Sequence, residues 1–331
     1  MSTFRLYAGQ PLLDIASYAR WAPGRIDRLS PAQVEHIART VRRVPEVVIK
    51  VSGGGTSFGA VAAHFKYIDR RGELDIETDE GAQLKGIGVE GDLIEDWNLK
   101  SESAVSQSPY SGRPGRKATK LVHNVILSMP AGTPPAGLLA ASRAFVHEQF
   151  ALKHRYAMVL HTDQGHPHVH VVIKAKSEQG ERLNIRKATL REWRREFARH
   201  LRECGIPANA TERAVRGETK IRKMDSIFGA ARRGASTHMR ERAEGVAAEL
   251  LQRAPRVEQD KSRLIRTRQE VRRGWQAASV ILARQGHGAL AEEIRRFVGQ
   301  MPSPKTDREV LAENLFARSR ETREKDWPVS R

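Results

Sequence analysis

The chain has 331 residues, 39% hydrophobic and 29% charged, enough for one sizeable core plus a smaller domain. No apolar run is long enough for a membrane span, and a single cysteine, Cys204, excludes intramolecular disulfides and thiolate metal clusters. The opening residues lack the pattern of a secretory signal, so a cytoplasmic protein is expected, and a net charge of +18 favours polyanionic partners, nucleic acid foremost.

The first clear element is "LSPAQVEHIARTVRRV", a helix with Ser30 as cap, Pro31 in the first helical position and Gln33 closing a capping box. "PEVVIKVSGGG" reads as a short buried strand ending in a glycine turn. "SFGAVAAHFKYIDRRG" is a helix expected to close at Gly72, with Phe58, Val61, Ala62, Phe65 and Ile68 as its core stripe. Tyr67 falls roughly opposite that stripe, among Lys66, Arg70 and Arg71. A tyrosine on a polar helix face is commonly a plain surface residue. The surrounding charge can hold phosphates and favour the phenolate, which makes it a candidate nucleophile.

Residues 73–120 are polar and broken by glycine and proline, and "SQSPYSGRPGRKATK" is a basic loop whose Arg113, Arg116 and Lys117 are candidate phosphate contacts. "LVHNVILSM" predicts a strand, and Thr133-Pro134 opens a helix to about Phe150. "YAMVLHTD" and "HVHVVIKA" are strands separated by "QGHP". "TLREWRREFARHLRECG" is a helix with a Thr189/Glu192 capping box, a stripe of Leu190, Trp193, Phe197 and Leu201, and a stop at Gly205. Beyond about Gly217 the chain is helix-prone and rich in Arg, Ala and Glu. The fold class that follows is α+β, a central antiparallel sheet with helices packed on it, followed by a helical C-terminal region. Three segments are expected: residues 1–45 as an extension with one helix, 46–220 as the sheet domain, and 221–331 as the basic helical region. That last region would bind DNA or accessory proteins, or be a solvated appendage.

Four of the twelve histidines lie in "HTDQGHPHVH". Side chains alternate along a strand, so His168 and His170 share one face while Val169, Val171 and Ile173 form a core face. His161 ends the preceding strand and folds back beside them. Three imidazoles on one face make a metal site with open positions, and Asp163 is placed to hydrogen-bond a ligand ring. Solvated histidines on a polar hairpin are the plainer alternative. His166, in the loop before Pro167, is a spare.

These residues carry a resemblance. "HTDQGHPHVHVV" resembles the third motif of conjugative relaxases in the HUH endonuclease superfamily, H-x-D followed by P-H-x-H and apolar residues. "AAHFKYIDRRGEL" resembles the first motif of the P-type mobilisation relaxases and of the T-DNA border nuclease, and "HNVILSMPAGTPP" their second. The resemblance implies an HUH-like fold and nicking of one DNA strand at an origin of transfer, with Tyr67 left on the 5′ end as a phosphotyrosine. It implies one divalent ion, Mn²⁺ or Mg²⁺, held by His161, His168 and His170, with Ser128 contacting DNA near the cleaved bond. Asp163 would orient His161 or help take the tyrosine proton. It also implies single-stranded DNA as partner, with accessory relaxosome proteins, a secretion coupling protein and translocation of the protein with its DNA. Two rivals follow: a rolling-circle initiator, whose histidine motif typically precedes its tyrosine, and a DNA-binding protein with a structural ion, for which cysteine ligands are wanting. Tyr110 and Tyr156 rank below Tyr67 as nucleophiles.

Overall fold

In a computed structural model of the chain, residues 28–101, 119–219, 237–251 and 259–326 are described. They fall into two compact units, one of Arg43–Ala210 and one joining residues up to Arg42 with those from Thr211 onward. Arg113, Arg116, Lys117 and Tyr110 lie outside the described residues, as does most of the N-terminal extension.

The first unit is built on six antiparallel strands: β1 (Val48–Gly53), β2 (Ile76–Thr78), β3 (Gln83–Leu84), β4 (Val122–Ser128), β5 (Tyr156–His161) and β6 (His168–Lys174). Their order across the sheet is β1-β4-β6-β5-β2-β3. The α+β antiparallel architecture expected from the sequence is the one observed. Alternation predicts a single valine core, yet β6 is buried along its whole length. Val169, Val171 and Ile173 pack with Phe145 and Phe197, from helices α4 (Pro135–Phe150) and α5 (Lys187–Glu203). Val172 points the other way, into a second core with Val61, Phe65, Trp97 and Ala157 under α2 (Phe58–Ile68) and α3 (Val89–Asp96). A strand clad on both faces reads as a nearly continuous apolar run.

Several boundaries differ from expectation for identifiable reasons. β1 is an edge strand, and its Val48 is 47% exposed instead of buried. Residues 73–101, expected as loop, contain β2, β3 and α3. They are anchored by buried Trp97 and by Arg155, whose guanidinium meets Asp79 at 2.7 Å and Asp96 at 2.7 Å. These elements are too short to show periodicity. α5 begins two residues before Thr189. Thr189 is its third residue, and its hydroxyl accepts from the Arg186 backbone N–H at 3.3 Å. Phe58, at the first turn of α2, is half exposed and lies outside the core stripe. α2 also stops at Ile68, four residues before Gly72. Arg70 and Arg71 already adopt left-handed backbone angles, φ 55° and 62°. At Gly72, φ is +89° and an added Cβ would lie 2.6 Å from the Gly86 backbone, so only glycine fits that close crossing.

The second unit is helical: α1 (Pro31–Val41), α6 (Thr237–Leu251), α7 (Gln259–Arg284), α8 (Gly288–Gly299) and α9 (Asp307–Asp326). The Ser30 cap and its capping box with Gln33 form as read from the sequence. The unit has its own core of Ile37, Val271, Trp275, Ile294 and Phe297, so α7 and α8 are not a solvated appendage. Trp275 buries its indole fully and donates its N–H to the Val215 carbonyl at 2.9 Å. The Gln285 side chain bonds both backbone groups of Leu29, at 2.9 and 3.0 Å, fixing the approach to α1. Among the described residues no helix is long and apolar enough to cross a membrane.

Candidate active site

The register of the sheet assembles the site. His161 and His168 are direct cross-strand partners on β5 and β6, and Ser128 of β4 pairs His168 from the other side. His170 lies one same-face step along β6. The three imidazole centroids are 4.5–5.1 Å apart, and one nitrogen of each lies within 4.8 Å of the others. All three rings are buried, His161 to 1% exposure.

Their neighbours settle which nitrogens are free. A carbonyl oxygen only accepts, so His161 donates from Nε2 to the Ile68 carbonyl at 2.6 Å, leaving the Nδ1 lone pair for Arg70 Nη2 at 3.2 Å. His168 donates from Nδ1 to the His166 carbonyl at 3.3 Å, leaving Nε2 free. His170 Nδ1 is buried without a partner among the described residues. Burial lowers the pKa of His161, and burial together with His161 and His168 pushes His170 down to about 3. Three rings with one nitrogen each within 4.8 Å of the others, and one orphaned buried nitrogen, fit a divalent cation. The all-nitrogen donor set suits manganese or a later transition ion better than magnesium.

The end of α2 is built into this cluster. Helix ends leave carbonyls without intrahelical partners. Here Ile68 gives its carbonyl to His161, and the Tyr67 carbonyl accepts from Arg70 Nη1 at 3.1 Å. The Tyr67 ring stands edge-on to His170 with centroids 6.0 Å apart, and Arg70 lies over its face at 5.3 Å. The ring remains 52% exposed, so it is held beside the histidines and still open to a substrate.

The structure thus brings together Tyr67, Arg70, Asp163, His161, His168 and His170. Asp163 accepts from Arg70 Nη2 at 2.5 Å, and that guanidinium rests on His161, so the carboxylate acts on the His161 ring through Arg70. The same guanidinium holds the Asp163 carboxyl below the usual carboxylate range. Ser128 is buried beside His168, its hydroxyl donating weakly to the Pro167 carbonyl at 3.4 Å. Lys66 is paired with Glu90 at 3.0 Å, away from the cluster's bonding network. The Arg71 side chain is exposed and makes no contact with the histidines among the described residues. Tyr156 lies in the core, where burial pushes its phenol up to about 12.

One neighbour escaped the sequence reading. His64 stacks on Tyr67 at 6.1 Å and 25°, and its edge meets His170 at 6.2 Å. The signal was available, since residues three apart on a helix share a face. Sitting inside an apolar run, "AVAAHF", it reads as a core position.

Residues 77–206 match the sequence model of the family described as Relaxase: MobA/VirD2-like, nuclease domain. That segment contains all three clustered histidines and Asp163; α2 with Tyr67 precedes it. The chain is similar to the T-DNA border endonuclease VirD2 of Rhizobium radiobacter, 28% identical over 184 residues, covering 52% of this chain and 43% of that protein. It is similar to the protein of the same name from Agrobacterium fabrum, 27% identical over 187 residues, covering 53% and 41%. The Rhizobium rhizogenes protein of that name is 28% identical over 142 residues, covering 41% and 32%. The matches span less than half the length of these relatives.

Proposed function

We propose that this chain, which carries a MobA/VirD2-like relaxase nuclease domain, nicks and rejoins one DNA strand at an origin of transfer through Tyr67. One observation carries the reading: an exposed phenol 6.0 Å from a buried three-histidine cluster, ring to ring. The Tyr67 oxygen attacks the scissile phosphorus, forming a 5′-phosphotyrosine. The phenol gives up its proton, the bond to the 3′ oxygen breaks, and that oxygen takes up a proton through solvent and leaves as a hydroxyl, with no net proton gained or lost. One phosphodiester replaces another, so the step is reversible and the strand can be rejoined.

His161 through Nδ1, His168 through Nε2 and His170 would hold one divalent ion, Mn²⁺ or Mg²⁺. When bound, such an ion supplies Lewis-acid polarisation of a non-bridging phosphate oxygen. Arg70 places positive charge against the Tyr67 ring. Asp163, ion-paired and held in its charged form, is better suited to fixing Arg70 than to taking the phenol proton. Ser128 and Arg71 would meet DNA beside the cleaved bond, as would Arg113, Arg116 and Lys117 along the strand. Lys66 would do so only on release from Glu90. Accessory relaxosome proteins, a coupling protein and export from the cytoplasm with the nicked strand complete the proposal. The order of the motifs, tyrosine before histidines, favours a relaxase over a rolling-circle initiator.

The test uses labelled single-stranded oligonucleotides tiling the DNA that flanks the coding sequence, with Mn²⁺ and a denaturing gel. Wild type should yield a covalent protein–DNA adduct that Tyr67→Phe does not. His168→Ala should abolish the adduct while leaving non-specific DNA binding nearly intact. An adduct that survives Tyr67→Phe would assign the chemistry to another nucleophile.

A further inference from the structure

The helical unit carries a charge pattern that the nicking chemistry does not use. α7 turns Val271, Trp275, Ala278 and Leu282 into its core. On a wheel of about 100° per residue anchored on Trp275, Arg266, Arg273 and Arg284 all fall within about 20° of the opposite pole. All three are exposed. They are spaced by about 10 Å and about 16 Å along the axis, at 1.5 Å rise per residue.

Other arginines of the molecule are neutralised by carboxylates. Arg199 meets Glu148, Glu196 and Glu203, and Arg295 meets Glu292. Among the described residues no carboxylate pairs with Arg266, Arg273 or Arg284. Between them this side of the helix exposes Gln269, Gln276 and Val280, two neutral hydrogen-bonding side chains and one small apolar group, with half-buried Glu270 and buried Ala277 beside them. Like charges held unpaired on a rigid helix raise the energy of the free protein, and a polyanion relieves it.

We infer that the outer face of α7 is a second DNA site, a backbone-reading surface for double-stranded DNA. Duplex is favoured over single strand by what the column lacks. Single-strand grooves interleave positive charge with aromatic rings on which bases stack, and this face presents none. Arginine and glutamine are among the side chains that contact phosphate oxygens of a duplex. Such a face would hold the unmelted DNA of the transfer origin while a separate unit acts on the strand. The inference does not depend on the tyrosine chemistry.

The test compares full-length wild type with the triple variant Arg266→Gln/Arg273→Gln/Arg284→Gln. Binding is read by fluorescence anisotropy on an arbitrary 30-bp duplex and on a 30-nucleotide oligo-dT, at several KCl concentrations. For the duplex, the slope of log affinity against log salt should shrink by about 2 to 3, at about 0.9 per lost phosphate contact. Affinity at 100 mM salt should fall on the order of 100-fold. Oligo-dT binding and adduct formation should stay within about twofold. The matching lysine triple variant, which keeps the charge, should retain the wild-type slope. An unchanged duplex slope in the glutamine variant overturns the inference, and so does an equal loss on duplex and oligo-dT. A lysine variant as weak as the glutamine variant, which would implicate folding rather than charge, also overturns it.

Discussion

At the scale of single residues, Arg70 does more than its sequence position suggests. Its left-handed backbone aims the guanidinium back over the helix end, where it touches the Tyr67 carbonyl, the His161 lone pair and Asp163 together. A cation already rests on the nitrogen that the proposed divalent ion would take, and the two would compete. Arg70→Met should therefore raise Mn²⁺ affinity several-fold in calorimetric titration, by removing a positive charge near the site. The same variant should slow adduct formation by about 10- to 100-fold, because Tyr67 loses its neighbouring charge. Weaker Mn²⁺ binding in Arg70→Met would show that the guanidinium organises the ligands instead of opposing the ion. The Arg70 residue was legible as a basic neighbour of the tyrosine. Its contacts were not, since they join residues 91 and 93 positions away.

Among elements, the sheet and α2 set the geometry together. β5 and β6 fix the histidine rows through their register, and a one-residue slip would turn every imidazole to the other face. α2 is held over that face by Val61, Phe65 and Ile68, all fully buried, with Phe65 edge-on to Trp97 at 5.8 Å. β4 adds a pH dependence of its own. Burial, reinforced by the charge on Lys120, pushes His123 down to about 4 from an ordinary 6.5. The folded chain therefore stays unprotonated there while the unfolded chain takes up a proton. The stability that His123 contributes is complete above about pH 6.5 and is lost as the pH falls toward 4. Urea midpoints at pH 7 and pH 5 should converge in His123→Gln relative to wild type. An identical acid loss in both proteins would remove His123 from the account.

At the scale of the whole molecule there are two units with separate cores, and the first described helix belongs with the C-terminal helices. The chain leaves the helical unit after α1, builds the sheet unit, and returns. Separate cores predict separate unfolding. Trp275→Ala removes a fully buried indole and a hydrogen bond, and should cost its own unit about 3–5 kcal/mol. Calorimetry should then show one transition shifted down and a second left in place, with Mn²⁺ binding unchanged. A single transition that moves as a whole would mean the two cores unfold as one.

What the sequence by itself determined is local: the Ser30 capping box, the long helices and strands with clear periods, the Tyr67 motif and the three histidines with their alternation. These are written in spacings of two to four residues, the range over which backbone geometry alone decides which side chains share a face. The tertiary structure decided whatever needed partners far along the chain. It buried β6 on both faces, recruited His64, turned Arg70 and Asp163 toward His161, and joined α1 to helices more than 200 residues away. Short elements such as β2 and β3 carry no period of their own; they exist because the sheet edge pairs their backbones and Arg143 takes the Glu77 carboxylate of β2.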